Sequence, residues 1–453
     1  MKRVWVVVPE PLSARIFFDC GIVDGLREGL GDRLAVVFLV DRERARQWAD
    51  GLGGTPAVYE DELVHTQIGV GERVKRRTDL WLDDKVGYYP LAIRLNLRHG
   101  FHGERMRPGH PNFGLDSSRV GPLPRSPSVD EAMYRWHYSA HRYVPSSLVR
   151  RLRDECSALA VSNVQTKPVV PFLLGARRLK LPVVGHVASW DHTVGKGAIP
   201  RTLDRYVVQN DMMRDDLVRY HEIDRGRVVV TGWPQTDVFF RRRARAEYDA
   251  VVRAHELDPS RPVVLVMGNT PTNAPYEARF VERLSGWWRE TRAGERFSLL
   301  FRPHPRDRRW RERFAAAIST DGVAVQEPSF TDLEVLAALL QHGDCVVANA
   351  GTILLDSIVN DRPSVCVLYD EGAPPGDSWA ALNVLGEHYR QLVESDAFYR
   401  AHDFGEVTAG IERALADPGE LAAERARVSR EVVGEVDGRA GQRVVDAILG
   451  VVD

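Results

Sequence analysis

Lysine is scarce in this chain, with six lysines against 55 arginines among 453 residues. The last is Lys196, and none occurs in the 257 residues after it, so a compact ammonium kept there points to work that a guanidinium does not do. Cysteine is scarce as well. Cys20, Cys156, Cys345 and Cys366 are scattered, with no CxxC pair, which argues against a disulfide framework or cysteine zinc site and for reduced, buried thiols; no metal is expected. Long apolar runs are missing, since stretches such as Val4–Val8 and Val263–Met267 are strand-sized and too short to span a bilayer as a helix. The start lacks a signal peptide's apolar core, passing from Lys2 and Arg3 through a Val-rich run to Pro9-Glu10-Pro11, so a cytoplasmic protein is expected. A net charge of −2 gives no general attraction to nucleic acid, and no nucleic-acid partner is expected.

What is present is globular. Hydrophobic residues make up 44% and charged residues 27%, and the length suits two domains rather than one core. Val- and Ile-rich runs alternate with helix-length amphipathic segments, the pattern of an α/β fold with parallel sheets. In the first half the runs are Val4–Val8, Leu34–Val40, Leu159–Ser162, Val183–His186, Arg205–Gln209 and Arg227–Thr231; in the second they are Val263–Met267, Ser298–Arg302, Val323–Gln326, Cys345–Ala348 and Ser364–Leu368. Helices are predicted between them, among them Pro275–Thr291, Asp307–Thr320 and Thr352–Asn360. The reading gives a first domain over 1–235, a second over 236–430, and a C-terminal helical segment, 431–453, packing back across the junction. Residues 60–145, rich in Gly and Pro, read as an irregular insertion suited to acceptor binding, dimerisation or both.

The densest chemistry lies in Gly185–Gly197, where His186, Asp191, His192 and Lys196 follow an apolar run among three glycines. Imidazole, carboxylate and ammonium are the groups that move protons and hold phosphates. A second candidate is Gly351-Thr352, which follows a strand and opens a helix, where backbone N–H groups and the helix dipole meet an anion. Its alternative is an ordinary helix cap. A third is the small, polar loop Gly268–Glu277, with Asn269, Thr270 and Asn273 as donors. The segment around Arg98, His99, His102, Arg105, Arg107 and His110 is locally basic.

Several of these motifs resemble one enzyme superfamily. Arg205–Asn210 followed by Arg227–Asp237, the strand end Arg302-Pro303-His304-Pro305, and Asn349–Asp356 are similar to the corresponding blocks of nucleotide-sugar glycosyltransferases, UDP-N-acetylglucosamine 2-epimerases and CDP-glycerol glycerophosphotransferases. The resemblance covers residues 150–370 well and the first 45 weakly. Trp190–Lys196 aligns without gaps on the glycerophosphotransferase pattern WHGTPLK, matching Trp190, Thr193 and Lys196, with Asp191 in place of the histidine. Ser189–Gly197 fits better the SWDNxTxKG loop of bacterial sugar transferases, and the GxRPE loop of the epimerases is absent.

The resemblance implies a GT-B fold, two Rossmann-like doubly wound parallel-sheet domains facing across a cleft. It implies a glycosyltransferase that moves a sugar from a nucleotide-diphosphate donor, such as a UDP-sugar, to a hydroxyl of a glycan, lipid-linked or small-molecule acceptor, as in polysaccharide biosynthesis. No cofactor is implied, the nucleotide sugar being a co-substrate. The alternatives are a CDP-glycerol-type glycerophosphotransferase and a non-catalytic nucleotide-sugar-binding protein. Asp191 is then the base, with His192, His186, Glu10 and Asp19 as competitors, and Lys196 meets phosphate charge or an acidic acceptor. Donor contacts fall on Asn269, Thr270, Asn273, Arg302, His304, Gly351, Thr352 and Asp356, with backbone groups of Gln326–Phe330 recognising the donor's nucleobase. Acceptor contacts fall on His186, Trp190 and His110. A homodimer and a peripheral contact with the inner face of the membrane complete the expected partners.

Overall fold

The computed structural model describes residues 1–63, 70–86, 127–139, 141–195, 199–271, 273–319, 322–329, 332–374, 380 and 387–452. It divides into two units, Met1–Asp237 with Arg439–Asp453, and Val238–Gly438.

The first unit is built on a seven-stranded parallel sheet. Its strands are β1 (Arg3–Val8), β2 (Leu34–Phe38), β3 (Ala57–Tyr59), β4 (Cys156–Val161), β5 (Val183–His186), β6 (Arg205–Val208) and β7 (Val228–Val230), in the order β3-β2-β1-β4-β5-β6-β7. β1 lies inside the sheet, with Val6 opposite Val36 on one side and Ala160 on the other. Such strands are apolar on both faces because helices cover both. The second unit repeats the order with β8 (Val263–Met267), β9 (Ser298–Arg302), β10 (Val323–Val325), β11 (Cys345–Asn349), β12 (Ser364–Val367) and β13 (Tyr399–Ala401), arranged β10-β9-β8-β11-β12-β13. Leu265 faces Leu300 and Val346 across its two neighbours. Each sheet therefore reverses strand order once, between β1 and β4 and between β8 and β11, the place where open parallel sheets receive ligands at their carboxyl ends.

The last helix, Ala440–Val452, belongs to the first unit. Val444, Val445, Ala447 and Ile448 join the core that holds Val4, Val6 and Leu26. Close approach is possible because Gly25 and Gly29 lie one turn apart on the helix Ile22–Leu30. A Cβ at either position would come within 2.9 Å of Val445 or 2.8 Å of Leu449. The helix start is fixed by Asp237, whose carboxylate accepts from Ala440 N at 3.0 Å and Gly441 N at 2.7 Å. One side chain thus satisfies two of the four amides a helix start leaves open.

Three expectations change. Residues 60–145 hold helices at Glu60–Leu63, Val70–Val86 and Pro127–His137 rather than irregular chain alone. The helix expected over Asp307–Thr320 is two short ones, Trp310–Arg313 and Ala315–Ile318, with the buried ring of Phe314 between them. The C-terminal segment, expected from 431, is interrupted after Val433 by Gly434 (φ 96) and Gly438 (φ 74), both left-handed, before the last helix begins. The four cysteines are buried and unbridged.

Candidate functional site

The carboxyl ends of the first sheet gather the loops that follow β1, β4 and β5. Across the strand-order reversal, Asn163 donates from Nδ2 to Glu10 Oε1 at 2.5 Å, and its own Oδ1 accepts from Gln165 N at 3.2 Å. Gln165 Nε2 donates to the carbonyl of His192 at 2.7 Å, which ties the loop after β4 to the loop after β5. There Ser189 Oγ donates to Asp191 Oδ1 at 2.5 Å, and His192 N closes the turn on Ser189 O at 3.0 Å. His192 Nε2 lies 4.0 Å from Asp191 Oδ1. Asp191 is part-exposed while His192 is buried. The carboxylate at 191 is therefore held by a hydroxyl and flanked by an imidazole.

His186 and Trp190, expected to touch an acceptor, are both 2% exposed. The His186 ring stands edge-on to Phe17 at 5.5 Å, with Nδ1 3.0 Å from Ser162 O. A carbonyl only accepts, so Nδ1 carries a proton. Burial pushes its pKa down to about 4, and its place is in the core, behind the loop.

Lys196 and His110 lie outside the described residues. The residues bracketing Lys196 are held by two side chains that sequence reasoning missed. His221 Nδ1 accepts from Ile199 N at 3.1 Å, so Nε2 bears the proton and donates to Thr193 O at 2.7 Å. Asp216, on the same helix (Asp211–His221), accepts from Thr193 Oγ1 at 2.7 Å. The helix Pro127–His137 supports the far side. Tyr134 Oη accepts from Arg201 N at 2.5 Å and donates to Ile199 O at 3.3 Å, and Glu131 pairs with Arg201 at 2.9 Å. Part of the unassigned insertion thus serves as a buttress for this loop.

In the second unit the expected donor residues fall into two groups. Asn269 donates from Nδ2 to Ala350 O at 3.2 Å across the β8–β11 reversal, and its Oδ1 accepts from Thr270 N at 2.7 Å and Asn273 Nδ2 at 3.5 Å. Gly351 lies beside them, a Cβ there being 3.8 Å from Asn269 Nδ2. Asn269, Thr270, Asn273, Gly351 and Thr352 are all part-exposed. Thr352 is the first residue of its helix, and its hydroxyl does not cap the helix's own amides, since the cap is Gly351 with no side-chain bond. Asp356 is 4% exposed, so its carboxylate is turned into the protein one turn further on.

The second group surrounds His304. Gly268 N donates to Arg302 O at 2.8 Å, extending the β8–β9 ladder to the point where both chains turn. His304 Nδ1 accepts from Arg306 N at 3.0 Å, which orients the part-exposed ring. Arg302 is 7% exposed, and its guanidinium donates to Gln326 Oε1 and Asp332 Oδ1, both at 2.7 Å. It braces the chain after β10, where base recognition was expected over Gln326–Phe330; Phe330 lies outside the described residues. Residues that sequence reasoning passed over are Glu277, Asp307 and Arg313, a buried charged cluster behind these loops. Glu277 and Arg313 pair across 36 residues of sequence, which leaves no periodic trace. Among the described residues no group of three His, Cys, Asp or Glu side chains stands close enough to hold a metal ion, and no helix is long and apolar enough to cross a membrane.

A family model described as CDP-glycerol:poly(glycerophosphate) glycerophosphotransferase matches residues 195–450. No curated protein matches the chain. Among solved structures, UDP-GlcNAc 2-epimerase from Neisseria meningitidis bound to UDP-GlcNAc is similar at 12% identity, covering 99% of this chain and 100% of that one, with a TM-score of 0.55. A glycosyltransferase from Rickettsia africae is similar at 9% identity over 100% of this chain and 98% of that one, TM-score 0.51. Anabaena HepE in complex with UDP is similar at 9% identity over 99% and 100%, TM-score 0.50. These likenesses agree with the two parallel sheets in showing a two-domain α/β fold of the GT-B type.

Proposed function

The chain belongs to the CDP-glycerol:poly(glycerophosphate) glycerophosphotransferase family, and from that premise we propose that this transferase moves a sugar from a nucleotide-diphosphate donor to an acceptor hydroxyl. The observation that carries the sugar reading is Asp191, a part-exposed carboxylate oriented by Ser189 at 2.5 Å, where the glycerophosphotransferase pattern has histidine. The family match begins at residue 195, so it does not bear on that position.

In this reading Asp191 takes the proton of the acceptor hydroxyl as its oxygen attacks the anomeric carbon. The bond from that carbon to the nucleotide diphosphate breaks, and the electron pair leaves with the phosphate. His192, 4.0 Å away, tunes the carboxylate. The donor's phosphates lie at the start of the helix Thr352–Val359, over the amides of Gly351 and Thr352. Among the described residues nothing demands glycine at 351, whose φ of −172° is ordinary extended backbone and whose missing Cβ would meet only van der Waals contacts. Space for a ligand supplies the reason. Asn269, Asn273 and His304 add donors to phosphate or sugar. A cytoplasmic setting, a glycan or lipid-linked acceptor and a peripheral membrane contact belong to the same proposal.

The family match itself favours a second reading, glycerophosphate transfer from CDP-glycerol. A thermal-shift panel of UDP, dTDP, GDP, CDP, CMP and their sugar or glycerol conjugates separates the two, since a ligand bound only by the folded state raises apparent stability. Stabilisation by a UDP-, dTDP- or GDP-sugar, with release of the nucleoside diphosphate on turnover, is expected. Stabilisation confined to cytidine ligands with CMP release would establish the second reading, and no shift with any nucleotide would overturn both.

A further inference from the structure

Arg313 ends the short helix Trp310–Arg313, and nothing in the proposed reaction uses it. Its guanidinium nevertheless spans two loops. Nη1 donates to Asp307 Oδ2 at 2.6 Å, while Nη2 donates to Ala274 O at 2.8 Å and Glu277 Oε2 at 3.2 Å. Glu277 and Asp307 are 6% and 3% exposed. The Glu277 carboxylate in turn fastens one candidate donor segment, and the Asp307 backbone fastens the other. Glu277 accepts the amide of Asn269 through both oxygens, at 2.9 and 3.1 Å. Asp307 accepts from Arg309 N at 3.1 Å, and its own amide donates to His304 O at 2.8 Å. The ladder between β8 and β9 ends at the bond from Gly268 to Arg302. Beyond it, Arg313 bridges the loop that carries Asn269 and the loop that carries His304.

We propose that Arg313 is a positioning residue, its planar fork holding the Asn269–Ala274 loop and the His304–Asp307 loop in one arrangement so that both meet the donor together. Only a guanidinium offers two separated edges in a fixed plane; an ammonium at the same place is a point charge with one reach. Two buried carboxylates around one cation are a poor choice for stability alone, since replacing such a cluster with apolar side chains is often neutral or favourable. Burial works against charge at Glu277 and pushes its pKa up, although Arg313 and the Asn269 amide pull the other way. Retaining the cluster makes sense where loop geometry matters.

The inference rests on the donor-site reading, so its test includes a measurement that does not depend on turnover. Hydrogen exchange is followed in wild type, Arg313→Lys and Glu277→Gln over peptides spanning 268–276 and 303–309. Both variants are chosen to keep the site filled, and Glu277→Gln stands in if the lysine variant fails to fold. The expected result is exchange about tenfold faster in both peptides in Arg313→Lys, and in the first peptide in Glu277→Gln, with β8 and β9 unchanged. For the nucleotide donor that wild type turns over, Arg313→Lys raises KM and lowers kcat/KM by about 10–100-fold, as loss of an outer-shell support does in metal sites. Unchanged exchange in one of the two peptides in Arg313→Lys, or unchanged kcat/KM, would overturn the inference. Normal exchange changes in a protein that binds no nucleotide would instead overturn the donor-site reading and leave the clamp standing.

Discussion

Asn269 reaches across the gap between β8 and β11 and donates from Nδ2 to the carbonyl of Ala350 at 3.2 Å. Its counterpart in the first unit is Asn163, whose amide reaches Glu10 across the gap between β1 and β4. In both sheets an asparagine closes the strand-order reversal, and in the second it also arranges Thr270 and Asn273 around itself. The Asn269 side chain uses its donor and acceptor ends together, so it is poorly replaced. Asn269→Asp sets a carboxylate against Ala350 O, and a loss of about 1–3 kcal/mol from the second unit's calorimetric transition is expected. Asn269→Ser, which keeps a small donor, falls between the two.

Asp191→Asn keeps the shape and the bond from Ser189 but removes the base. The expected outcome is a drop in kcat of about 100- to 10,000-fold with the donor KM little changed. His304→Ala is expected to do the reverse, raising donor KM about tenfold, since the proposed reaction gives its ring a binding role. Steady-state kinetics on both variants read the two effects apart. A shared pattern would show that one of the two is misassigned.

His186 makes acid a liability. Its folded pKa, about 4, lies below the ordinary histidine value of about 6.5, so the native state binds fewer protons than the unfolded one between those limits. Stability is therefore full above about pH 6.5 and falls as pH drops toward 4, by about 3 kcal/mol for this group. Melting curves from pH 7 to pH 4 should show His186→Gln less sensitive to acid over that window, whatever its stability at pH 7.

Gly268→Ala tests the seam between β8 and β9. A Cβ there would stand 3.0 Å from His304 N and from Pro303 Cα, and backbone on the far side cannot swing away as a side chain does. The expected cost is about 1–3 kcal/mol, together with a loss of donor affinity as the His304 loop shifts. Calorimetry and donor binding measured side by side check both parts.

How much the sequence discloses depends on how each element is buried. β5, β8 and β9 begin and end where the apolar runs Val183–His186, Val263–Met267 and Ser298–Arg302 do, because central parallel strands are covered on both faces and bounded by turns. The three-residue edge strands Ala57–Tyr59 and Tyr399–Ala401 escape, while Val228–Val230 and Val323–Val325, equally short and at the edges, are legible because valine opens and closes each. Loop residues that end those central strands, Asp191, Asn269, His304 and Gly351, are legible as chemistry against an apolar background. What holds them is not, since Asn163, His221, Glu277 and Arg313 act through contacts fixed only by folding. Arg302 looks like a ligand contact in sequence and is a brace in the structure, because its partners Gln326 and Asp332 come from other elements.

The capping of Ala440 and Gly441 by Asp237 has a consequence for how the protein is made. The chain leaves the first unit at 237 and rejoins it at 439, so the helix that covers Val4, Val6 and Leu26 emerges from the ribosome only after the whole second unit. At a synthesis rate of about 5–20 residues per second, that interval is roughly 10–40 s. During it the earliest strands wait with an apolar face open to water, and the inserted unit completes its own sequence, at Gly438, before the first unit does. The protein's first-made half is thus its last-completed one, and an apolar face left open over that interval is the kind of surface through which nascent chains aggregate.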